Sequence, residues 1–153
     1  MTPNAPLLAI DHGIKRIGVA VCDRSWLVAR ELMVIARTTR EADFAKINAA
    51  AAQHQACAII VGMPSDEFRA EGEHTQGDTV RLWVERFQAT TTLPILYWDE
   101  QMTSEEAKSL ARRARRKPEA AIDDLAARVI LQSYLDALRD GLAPLPPTLN
   151  KES

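Results

Sequence analysis

Three acidic residues occupy positions that solubility alone does not explain. Asp11 directly follows the apolar run Leu7-Leu8-Ala9-Ile10 and stands just before Gly13, where a carboxylate is costly unless it meets water, metal or a partner. Glu100 closes a second apolar run, Leu93 to Trp98, expected as another buried strand, with Asp99 beside it as a competitor for the same role. Asp123 and Asp124 lie in an alanine-rich segment with helical periodicity. Residues three and four ahead share a face, so Asp123 looks onto Ala126, Ala127 and Ile130, whereas Asp124 looks onto Arg128, a surface pair. Asp123 is therefore the acid expected to point inward. Three inward carboxylates with no buried base among them repel in a low-dielectric site, and a divalent cation relieves that repulsion. Hard oxygen donors favour Mg²⁺ or Mn²⁺. Such ions activate a water and stabilise the oxygens of an in-line displacement, so hydrolysis of a phosphodiester is the expected chemistry.

Cations supply a route for such a substrate. Lys108, Arg112, Arg113, Arg115, Arg116 and Lys117 fall within ten residues that hold no acid, although the formal net charge of the chain is -2. Phosphates are held mainly by Lys and Arg, so Arg112, Arg113, Arg115, Arg116 and Lys117 are expected to bind nucleic acid, with Lys15 and Arg16 as a second contact beside Asp11. A solvated helix end and a hairpin turn with two surface cations are the simpler accounts of the two clusters. No aromatic platform of the kind that stacks single strands lies near either.

The elements that must position these groups read as an α/β domain. Leu7 to Ile10 and Ile17 to Cys22 predict two strands joined by a tight connection, and Trp26 to Ala36 predicts a third in an antiparallel meander. Thr38 to Gln55 predicts an amphipathic helix begun by a threonine cap. Ala56 to Val61, closed by Gly62-Met63-Pro64, predicts a central strand buried on both faces. Ser65 to Gly72 is expected as a loop, Val80, Trp83, Val84 and Phe87 mark a helical stripe, and Leu93 to Trp98 a fifth strand. Thr103 with Glu106 predicts a further helix start, and Pro118 opens a last helix that runs to about Asp140. The sum is a five-stranded mixed sheet flanked by helices.

Length bounds the rest. With 153 residues, 46% of them apolar, the chain holds one well-buried core, expected over residues 1–142, with a flexible tail over 143–153. No apolar run suits a membrane span and the opening residues lack a secretory pattern, so a cytoplasmic location is expected. Cys22 and Cys57 read as reduced core thiols. His12, His54 and His74 are too scattered for a zinc site.

The stretch Asp11-His12-Gly13-Ile14-Lys15-Arg16-Ile17-Gly18-Val19-Ala20 resembles the opening D-x-G-x-K-R-I-G-V-A of the YqgF/RuvX family, described as Holliday-junction resolvases and as pre-16S rRNA nucleases. Three further stretches match in order: Ile60 to Pro64, Asp99-Glu100 with Thr103-Ser104 and Ala107, and Ile122-Asp123 with Ala126-Ala127 and Ile130-Leu131. The resemblance implies an RNase H-like fold, catalytic and metal-holding roles for Asp11, Glu100 and Asp123, and maturation of the 5′ end of 16S rRNA. Departures are Gln101 where an arginine follows Asp-Glu, Ser65-Asp66-Glu67 where Leu-Asn is usual, and His12 where an aromatic or aliphatic residue is common. A lost cation and an added pair of acids are expected to weaken phosphate binding. The alternatives are a non-catalytic nucleic-acid-binding or ribosome-associated protein that keeps this fold, a junction resolvase, and a nucleotide-binding module of the actin and sugar-kinase type, for which the chain is too short. No segment argues for a dimer interface, and a monomer acting on RNA is favoured.

Overall fold

The computed structural model describes residues 5–63, 76–99 and 119–146, with the backbone alone at 76 and 119–125. Its elements are β1 (Leu7–His12), β2 (Arg16–Cys22), β3 (Ala29–Ala36), α1 (Arg40–His54), β4 (Ala58–Met63), α2 (Gln76–Gln88), β5 (Ile95–Asp99) and α3 (Glu119–Arg139). The loop expected over 65–72, the helix expected from Thr103, Glu100 and the basic stretch from Lys108 to Lys117 lie outside the described residues.

The five strands form one sheet in the order β3-β2-β1-β4-β5. β1 pairs antiparallel with β2, and β2 with β3, as a meander requires; β1 pairs parallel with β4, and β4 with β5. The parallel pairs need crossovers, which α1 and α2 supply. β1 thus stands where the strand order reverses, with β2 and β3 built out on one side and β4 and β5 on the other.

Alternation along β1 splits the interior into two layers. Leu8 and Ile10 join Ile59, Val61 and Met63 of β4 against Phe44 and Ile47 of α1 and Val80, Trp83, Val84 and Phe87 of α2. Leu7 and Ala9 face the other way, with Ala20, Cys22, Ala58 and Ile60, beneath Ala127, Ile130, Leu131 and Tyr134 of α3. Full burial of side chains such as Leu131 or Phe87 stabilises by about 1.5–3 kcal/mol each, so the two layers dominate the fold energy. No described helix is long and apolar enough to cross a membrane.

Local chemistry sets the boundaries. Thr39 caps α1, its Oγ1 accepting from the Ala42 N–H at 3.1 Å. β3 begins at Ala29, three residues later than expected, because Asp23 organises the preceding turn: its Oδ1 accepts from the N–H groups of Leu27 (2.8 Å) and Val28 (2.9 Å). Trp26 sits there at φ 59°, its indole N–H donating to the Ala5 carbonyl at 2.7 Å. Gly62 and Met63 continue β4 rather than end it, since β5 pairs alongside them at Gly62↔Trp98 and Met63↔Asp99. β5 itself is an edge strand in which only Trp98 is buried, not the buried strand expected before Glu100. The start of the expected tail is also held. Ala143 packs beneath α3, the Tyr134 hydroxyl donates to the Pro144 carbonyl at 2.6 Å, and Pro146 is buried.

Candidate active site

β1 delivers Asp11 to the carboxyl end of the central strand, half-buried. Its side chain falls on the face that carries Leu7 and Ala9, the face covered by α3. Across β2 its partner is Gly18, and on the other flank Gly62 follows Val61, the partner of Ile10. The β2 partner of Asp11 therefore lacks a side chain, as does the β4 residue that follows the last β1–β4 pair, and beyond Gly62 stands Trp98. A glycine inside a strand gives up side-chain packing, and here two of them open the sheet surface beside one carboxylate. The end of a sheet at which strand order reverses is also where α/β folds bind ligands.

α3 is laid over this face in a fixed direction. Gln132 Oε1 accepts from the Ala29 N–H at 2.8 Å, and one turn earlier Arg128 pairs with Glu31 at 3.7 Å. Moving towards the N-terminus of α3 thus moves along β3 towards Ala36, whose partner is Arg16, at the Asp11 end of the sheet. The Trp98 indole N–H donates to Ser133 Oγ at 3.1 Å and its ring meets that of Tyr134 edge-on at 5.4 Å, which ties β5 to the same helix. Asp123 lies in α3 four residues before the buried Ala127, and Asp124 four before Arg128; the side chains of both acids lie outside the described residues. Of the three expected acids, the structure describes the side chain of Asp11.

On the opposite face, His12 is 6% exposed and packs on Trp83. Burial, aided by the Arg37 guanidinium, lowers its pKa to about 4, so it is neutral and no source of phosphate-binding charge at neutral pH. Lys15 is exposed at the β1–β2 turn and Arg16 half-buried at the start of β2. Burial raises the Cys22 thiol to about 11; it accepts from the Leu7 N–H at 3.3 Å, a core thiol as expected, and Cys57 stands just ahead of β4.

The profile of the RuvX family, described as Holliday junction resolvase, matches residues 5–137, from just before β1 to within two residues of the end of α3. The chain belongs to the RuvX family. Two RuvX relatives bear the name "Putative pre-16S rRNA nuclease": one from Novosphingobium aromaticivorans, 38% identical over 146 residues and covering 90% of this chain and 89% of its own, and one from Syntrophus aciditrophicus, 35% identical over 142 residues and covering 90% and 93%. Among solved structures, RuvC of T. thermophilus in complex with a Holliday junction substrate superposes with a TM-score of 0.63 at 16% identity, covering 91% of this chain and 98% of that one. A further Thermus thermophilus RuvC structure gives 0.57 at 17% identity, covering 90% and 98%. The RuvX chain therefore has the RNase H-like fold of RuvC, and the expected fold class holds.

The sequence reading missed the glycines beside Asp11. Gly18 and Gly62 are plain in the sequence, but only strand pairing shows that they stand beside Asp11.

Proposed function

We propose that the chain is a metal-dependent nuclease that hydrolyses a phosphodiester bond of RNA, with the 5′ end of the 16S rRNA precursor as its substrate. The observation that carries this reading is a half-buried carboxylate at the carboxyl end of the central strand, paired across β2 with a glycine, in a member of the RuvX family. Asp11, Glu100 and Asp123 hold Mg²⁺ or Mn²⁺. The donor chemistry fits: carboxylate oxygen is the hard ligand those ions take. When bound, the ion supplies an activated water and neutralises charge on the phosphate. Asp11 fixes the position of the reacting phosphate relative to the sheet. In support of Asp123, α3 runs with its first turns towards the Asp11 end of the sheet. Glu100 follows Asp99, which pairs beside Met63 at the end of β4. Lys15, Arg16 and the stretch Arg112, Arg113, Arg115, Arg116 and Lys117 hold flanking phosphates. The protein works as a monomer in the cytoplasm, where its substrate is made.

Cleavage of a labelled single-stranded RNA spanning the precursor 5′ end, with Mg²⁺, Mn²⁺ or EDTA and beside Asp11→Asn, tests this. Metal-dependent product that the variant does not form is expected. Product from a four-way DNA junction but none from RNA would reassign the substrate, and binding without product from either would leave a non-catalytic RNA-binding role.

A further inference from the structure

The turn between β1 and β2 is held more firmly than a surface hairpin requires. The Gly13 N–H donates to the Arg16 carbonyl at 2.9 Å, and the Arg37 N–H to the Lys15 carbonyl at 3.0 Å. Arg37 Nη1 donates in addition to the carbonyls of Gly13 (2.9 Å) and Ile14 (3.1 Å). Every carbonyl from Gly13 to Arg16 is thus engaged, three of them by Arg37. The Gly13 carbonyl is part-buried where Arg37 meets it, whereas the Ile14 carbonyl is exposed and well served by water, so stability alone gives little reason to hold the second with a long side chain. The turn is tight as well: a Cβ on Gly13 would lie 2.6 Å from the Arg16 carbonyl oxygen.

What the clamp presents is Ile14, 82% exposed and the most exposed large apolar side chain among the described residues, with exposed Lys15 next to it. Both stand within four residues of Asp11. An apolar side chain bared beside a cation suits a nucleic acid strand, where apolar groups press on bases and lysines meet phosphates.

We propose that Arg37 is a positioning residue for substrate: by fixing the β1–β2 turn it sets Ile14 against a base and Lys15 against a phosphate of the strand whose reacting bond lies at Asp11. The proposal rests on the nuclease reading for the location of that strand. A turn already ordered before binding loses no freedom on binding, and this is what Arg37 contributes. Arg37 itself directs its hydrogen bonds to the turn.

Binding of a fluorescent single-stranded RNA in EDTA, read by anisotropy, tests the proposal apart from cleavage. Arg37→Met is expected to weaken binding by about tenfold, and the double variant Ile14→Ala/Lys15→Ala by at least as much. In that double background Arg37→Met should have no further effect, because its route to the strand is gone. Full additivity, or wild-type affinity in Arg37→Met, overturns the proposal. If Arg37→Met fails to fold, Arg37→Gln, which keeps one donor group for the turn, replaces it in the same cycle. A direct phosphate contact by Arg37 would instead lower the salt dependence in the double background as well. RNA binding with this coupling but no cleavage would retain the clamp and refute the nuclease; no RNA binding by the wild type would overturn both. Where the wild type cleaves, Arg37→Met raises KM more than it lowers kcat.

Discussion

The imidazole of His12 lies 4.8 Å from the indole of Trp83, centroid to centroid and tilted by 54°, and neither His12 Nε2 nor Trp83 Nε1 finds a hydrogen-bond partner among the described residues. Two buried polar atoms go unsatisfied side by side, one residue from Asp11. Among the described residues, Arg37, whose guanidinium opposes a charge on His12, and Asp43, which favours one, are the charged groups that act on the ring. Asp43 is itself engaged, accepting from the Thr38 N–H at 3.2 Å and hydroxyl at 3.3 Å.

This pair predicts an acid-sensitive fold. His12 titrates at about 4 in the folded chain, against an ordinary 6.5, because burial first and Arg37 second disfavour its charged form. Between those values the unfolded chain binds more protons, so stability is full above pH 6.5 and declines as pH falls towards 4. The His12 share of that decline is about 2–3 kcal/mol. Urea midpoints from pH 7 to pH 4 should show a slope that His12→Phe removes; the same slope in both proteins would acquit His12.

Asp11→Asn should lower metal-dependent cleavage by at least about a hundredfold with an unchanged melting temperature, since the loss falls on reacting-phosphate stabilisation and not on packing. Asp123→Asn should do the same and Asp124→Asn should not. Full activity in the Asp123 variant with loss in the Asp124 variant would exchange their roles.

Gly13→Ala places a methyl against backbone, the Arg16 carbonyl oxygen at 2.6 Å, and backbone cannot yield as a side-chain tip can. A loss of about 1–3 kcal/mol in stability is expected. Chemical denaturation measures it directly, and a change within error would mean that the turn opens at little cost.

Charge reversal across Arg112, Arg113, Arg115, Arg116 and Lys117 should weaken RNA binding and flatten its dependence on salt, by roughly one unit of slope for each phosphate no longer neutralised. A slope equal to that of the wild type would be evidence that these cations point elsewhere.

Much of the fold was legible because its signals are local. Apolar runs over Leu7 to Ile10 and Ile17 to Cys22, a threonine before α1 and the stripe Val80, Trp83, Val84 and Phe87 each declare an element from within a few residues. What failed depends on side-chain hydrogen bonds and strand order, which apolar patterning does not carry. Residues Trp26 to Val28 are apolar enough to read as strand, yet the Asp23 side chain commits them to a turn. The burial of Leu93 to Trp98 was overstated because composition cannot say which strand lies at the edge. Asp11 was singled out for its place in the sequence, whereas the glycines that expose it come from β2 and β4.

Among the described residues, α3 is the helix that covers the Leu7–Ala9 face of the sheet, and this has a consequence for synthesis. β1, β2 and β3 pair between near neighbours in the chain and can zip together early. Leu7, Ala9, Ala20, Cys22 and Ala29 nonetheless wait for Ala127 to Ala137, which come last among the described elements. A half-made chain emerging from the ribosome therefore carries a finished hairpin with one greasy side bare, a surface that chaperones bind and that promotes clumping if translation stalls. Residues late in the message decide whether the earliest strands stay soluble.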